Sequence, residues 1–113
     1  MTIHTDPPVV VFVPEDPLFE EGGTLMLKCC AQGKPLPSYA WRRLDEEMTS
    51  KAVGTTSRHL FIPNTTMSDI GVYACVAINE GGIVQSSSIQ TFFRSYGKMY
   101  KSVRLRRLTD FPC

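Results

Sequence analysis

No apolar run in these 113 residues approaches the roughly 20 that a membrane-spanning helix needs. The longest, VVVFV at 9–13, is strand-sized. Histidine is scarce: His4 and His59 stand alone. Cysteine is present four times, but Cys29 and Cys30 are adjacent, without the two-residue gap of a zinc knuckle, and no second Cys/His pair lies nearby. These gaps argue against a metal centre. No Ser-His-Asp or paired-carboxylate arrangement follows from the spacing, and Glu46-Glu47 reads as a solvated turn. Gly81-Gly82 lacks the following helix that a phosphate loop requires and reads as a hairpin turn. The expectation is a chain with no catalytic residues, no metal and no cofactor. The start, MTIHTDPP, lacks the charged and apolar stretches of a signal peptide. It reads as an excised domain carrying an added Met1, which leaves the compartment open.

Strong charge of one sign is also missing, since the net charge is +1. Its distribution is uneven. Residues 1–93 hold six Lys/Arg against ten Asp/Glu; residues 94–113 hold six against one. An acidic body, 1–93, followed by a basic tail or linker, 94–113, is the expected organisation. A membrane would be met only through the parent protein or, weakly, through that tail; no nucleic-acid partner is expected. In the tail, Tyr96, Met99, Tyr100 and Val103 fit one helical face, while 102–106 also alternates as a strand.

What the chain does have is punctuation. EDP at 15–17, GKPLP at 33–37, VGTTS at 53–57, IPN at 62–64 and NEGG at 79–82 separate short runs of β-branched and aromatic residues. Many short strands with evenly spaced turns predict an all-β sandwich or barrel. Side chains alternate across a strand, so a shared parity means a shared face. In TLMLKCC, Leu25, Leu27 and Cys29 share one face and Met26, Lys28 and Cys30 the other. Lys28 belongs in water, which sends Cys29 inward and Cys30 outward. Leu60 and Ile62 share a face, as do Tyr73, Cys75 and Ala77. Cys29, Trp41 and Cys75 emerge as buried anchors.

The motifs Cys29-x₃-Gly33-x-Pro35-x-Pro37-x₃-Trp41, Leu60-x-Ile62 and Asp69-x-Gly71-x-Tyr73-x-Cys75-x-Ala77-x-Asn79-x₂-Gly82 then become specific. Together they resemble an I-set immunoglobulin domain over about residues 7–93, with Pro7-Pro8 and Glu21-Gly22 at the expected strand entries. The resemblance implies a two-sheet, Greek-key β-sandwich. It implies a Cys29–Cys75 disulfide across sheets about 10 Å apart, with Trp41 packed against it. A loop that long makes such a bridge worth roughly 4 kcal/mol. It also implies a tyrosine corner built by Asp69, Gly71 and Tyr73, and an Asp69 ion pair for which Arg58 is the nearest upstream arginine. The family places an apolar residue where Thr65 stands, so a less well packed corner is expected there. The short polar region 45–57 suits a domain without additional edge strands.

The remaining candidates are surface features. Asn64-Thr65-Thr66 is an N-glycosylation acceptor sequence. Cys30 is expected as a solvent-accessible free thiol, the alternatives being a bridge to Cys113 or to a second chain. Alternation turns Arg42 and Leu44 outward, with Val72, Ala74, Val76 and Ile78 beside them. An exposed apolar face of this kind marks an association surface. Covering by other parts of the chain is the competing expectation.

By resemblance, the function expected is non-enzymatic recognition of another protein, homophilic binding or a homodimer included. The parent would be a cell-surface adhesion molecule or receptor ectodomain, placing the domain outside the cell. The alternatives are an intracellular scaffold domain of muscle filaments, with reduced core cysteines, and a regulatory domain of a larger kinase-type protein.

Overall fold

The computed structural model describes residues 5–14 and 17–93. Apart from one 3-10 turn, Met67–Asp69, its regular structure is all strand. In chain order these are β1 (Asp6–Phe12), β2 (Leu18–Phe19), β3 (Leu25–Lys28), β4 (Cys30–Lys34) and β5 (Ser38–Arg43). There follow β6 (His59–Ile62), β7 (Val72–Asn79), β8 (Gly82–Gln85), β9 (Ile89–Gln90) and β10 (Phe92–Phe93). The basic tail lies outside the described residues.

Two layers form. In one, β3 pairs antiparallel with β6 and β4 pairs antiparallel with β1. Cys29 alone separates β3 from β4, and its N–H donates to Arg58 O. In the other, β7 is central, flanked by β5 on one side and by β8 and β9 on the other. At the far end β10 runs parallel to β2.

Parity explains the core. Leu25, Leu27 and Cys29 face inward from the first layer, joined by Leu60 and Ile62 of β6. Trp41, Tyr73 and Cys75 face them from the second, and Phe19 and Ile89 close the cluster. Cys29 and Cys75 form a disulfide between the layers. Trp41 and Cys75 are directly opposite in the β5–β7 register, so the indole shares a face with the bridge. The polar edge of Trp41 is satisfied too: Nε1 donates to Ser57 O at 2.9 Å.

Two expectations about this framework change. Cys30 is fully buried and is not a free thiol. It does leave the Cys29 face, but β1 runs alongside and sets Phe12 opposite it in register. Cys113 lies outside the described residues. The corner at Thr65 is not loosely packed. Its side chain is buried, with Oγ1 3.0 Å from Glu20 O and 3.1 Å from Gly23 O. Thr65 N–H donates to Gly23 O and Gly22 N–H donates to Thr65 O. A hydroxyl with carbonyl acceptors takes the place of apolar packing.

Candidate interaction surface

The corner before β7 fixes where the second layer can present side chains. Tyr73 hydroxyl donates to Asp69 O at 2.7 Å, within a fully buried ring environment. Asp69 does not pair with Arg58, which is exposed. Its carboxylate instead accepts from Lys51 Nζ and from Thr66 N–H, both at 2.9 Å. Lys51 sits eighteen positions upstream, beyond the reach of a nearest-arginine argument.

Arg43 is the residue that motif reading missed. Its side chain is only 4% exposed. Nη2 donates to Ile70 O and Nε to Asp45 Oδ1, each at 3.0 Å, while the guanidinium lies 5.5 Å from the Tyr73 ring centre. Glycine leaves it room: a Cβ on Gly71 would fall 2.5 Å from Arg43 Nε, so a larger residue there displaces the guanidinium. The signal was its parity, since Arg43 shares the inward face of Tyr39 and Trp41. Burial works against the Arg43 charge, but the Asp45 hydrogen bond and nearby charges outweigh it and raise the pKa. In return the Arg43 hydrogen bond, above all, holds the Asp45 carboxyl below its ordinary value, helped by the Val72 N–H. Burial pushes the Tyr73 phenol up to about 12.

Above this corner lies the outer face of β5, β7 and β8. Cross-strand rows place Ser38, Ile78 and Ile83 together, then Ala40, Val76 and Gln85, then Arg42 with Ala74. The expected broad apolar exposure is not there. Ala74 is fully buried and Val76 only 8% exposed, while Val72 and Ile78 are half-buried. The physical reason is position. A central strand has neighbours on both sides, so its small and β-branched side chains are shielded more than parity alone implies; in register Ala74 stands across from Arg42, and Val76 between Ala40 and Gln85. What remains exposed is Arg42, Leu44 and Ile83, the last at 72%. Ile83 lay in the following strand, outside the candidate set.

The opposite layer carries the apolar row that sequence reasoning did not find. Met26 pairs with Phe61, and Val53 bridges to Phe61; all three are exposed. His59 stacks on Phe61 with centroids 6.2 Å apart. Among the described residues, no three His, Cys, Asp or Glu side chains converge as a metal site.

Residues 7–79 match the family described as immunoglobulin domain. The chain is an immunoglobulin domain. Hemicentin-1 of Homo sapiens is 38% identical to it over 92 residues, covering 75% of this chain and 2% of hemicentin-1. The neuronal-glial cell adhesion molecule of Gallus gallus is 35% identical over 81 residues, 68% of this chain and 6% of that protein. The solved tandem Ig repeats of Dlar superpose with a TM-score of 0.67 at 27% identity, covering 77% of this chain and 48% of that one. The immunoglobulin domain thus spans a tenth or less of these two curated relatives, and its two layers are an immunoglobulin-like sandwich. Related domains occur within adhesion proteins and receptors.

Proposed function

We propose that this immunoglobulin domain is a non-enzymatic recognition module of a cell-surface adhesion molecule or receptor ectodomain. It binds another protein, a second copy of itself included, through the outer face of β5, β7 and β8. The observation that carries the extracellular reading is the Cys29–Cys75 bridge in the core, since structural disulfides persist in oxidising compartments. The kinship with a neuronal-glial cell adhesion molecule supports it. The surface is narrower than strand alternation alone implies. Ile83 with the half-buried Ile78 lies at one end of this face and Leu44 with the half-buried Val72 at the other, with the Arg42 cation between them. Exposed apolar side chains flanking an arginine suit a protein interface.

The test uses the oxidised domain, as a multimer on neuronal and epithelial cells and alone in sedimentation velocity. Ile83→Arg should abolish cell binding or self-association, whichever the unaltered domain shows, while Met26→Arg on the other layer leaves it intact. Loss with Met26→Arg and retention with Ile83→Arg would move recognition to the opposite sheet. Binding to neither cells nor itself would refute the reading.

A further inference from the structure

The chain has two asparagines, and the structure uses them differently. Asn79 is committed to the fold: Nδ2 donates to Asp6 O at 2.7 Å and to Pro35 O at 2.9 Å, and Oδ1 accepts from Gly81 N–H. Asn64 is exposed, and its carboxamide makes no hydrogen bond among the described residues. Only its backbone carbonyl is engaged, by Lys51 Nζ at 2.7 Å. Its φ of +50° explains an asparagine at this turn. That conformation does not require Thr66 two positions on. The Thr66 hydroxyl is exposed and 2.8 Å from the Ser68 hydroxyl, and Thr66 is also the N-cap of the Met67–Asp69 turn, in a capping box with Asp69.

We propose that Asn64 is an N-glycosylation site, an inference that rests on the extracellular reading above. The donor is a lipid-pyrophosphate-linked oligosaccharide. Asn64 Nδ2 attacks its anomeric carbon, a nitrogen–carbon bond forms, and the carbon–oxygen bond to the pyrophosphate breaks. The lipid pyrophosphate leaves, and the amide proton passes to a base of the transferase. The fold accommodates the product without rearrangement. The buried middle residue, Thr65, holds the corner to Glu20 and Gly23 while the acceptor amide stays outside. Ile62 pairs with Leu25, one register step from the exposed Met26–Phe61 pair. A bulky, solubilising glycan on Asn64 would stand two residues beyond the strand that carries Phe61.

The experiment expresses the chain behind a secretory leader in eukaryotic cells and reads intact mass before and after peptide-N-glycosidase. The expected result is one glycan's mass, removed by the enzyme with Asp left at position 64. Asn64→Gln and Thr66→Ala should lack the shift, and Thr66→Ser should keep it. A secreted chain with Cys29 and Cys75 oxidised but no glycan would overturn the proposal while leaving the recognition reading standing. A shift that survives Asn64→Gln would overturn it as well.

Discussion

Arg43 and Tyr73 stand directly opposite each other on β5 and β7, with the guanidinium 5.5 Å from the ring centre. The pair joins the core to the corner: Arg43 holds Ile70 O, and Tyr73 holds Asp69 O. Replacing Arg43 with methionine keeps the stem but leaves the Ile70 carbonyl and Asp45 without it. A loss of about 1–3 kcal/mol is expected in urea unfolding. Gly71→Ala should cost a similar amount, because its Cβ needs the space of the guanidinium. The two losses should not add, since one displaces what the other removes.

Asp69 supplies a comparison between two cations. Lys51→Ala should lower stability by about 1 kcal/mol, as the buried carboxylate keeps Thr66 N–H but loses its ion pair. Arg58→Ala should stay within about 0.5 kcal/mol, the usual effect of an exposed substitution. Equal losses by chemical denaturation would return Arg58 to the pairing the family resemblance implies.

Thr65→Val keeps shape and removes the hydroxyl between Glu20 O and Gly23 O. A decrease of about 1–2 kcal/mol is expected. A gain would mean that apolar packing suits the corner better.

Tyr73 sets an alkaline limit. Burial raises its pKa to about 12 in the folded state, against about 10 unfolded. Its contribution is therefore complete below pH 10 and is lost between about pH 10 and 12, where the unfolded chain ionises first. Thermal melts should fall over that window, and Tyr73→Phe, though less stable at neutral pH, should fall less steeply.

The sequence made the inward set legible because strand parity is strictly local. Cys29, Leu60, Ile62, Trp41 and Cys75 could be placed from period two and turn spacing alone. Parity also separates outward from inward, but outward is not the same as exposed. Ala74 and Val76 are turned outward by parity yet buried, and burial depends on what packs beside a strand. The Lys51–Asp69 pair and the Met26–Phe61–Val53 row likewise depend on which strands meet. Arg43 was legible in principle, as a charge at a core-facing position beside Trp41. Thr65 shows the limit of family pattern: a substitution that looks like lost packing can be a hydrogen bond gained.

The most direct test is the redox state of the core cysteines in protein taken from its native source. Alkylation without reductant, followed by peptide mass spectrometry, should find Cys29 and Cys75 linked and unlabelled. Recovery of both as alkylated thiols would contradict an extracellular recognition domain and place this sandwich in a reducing compartment.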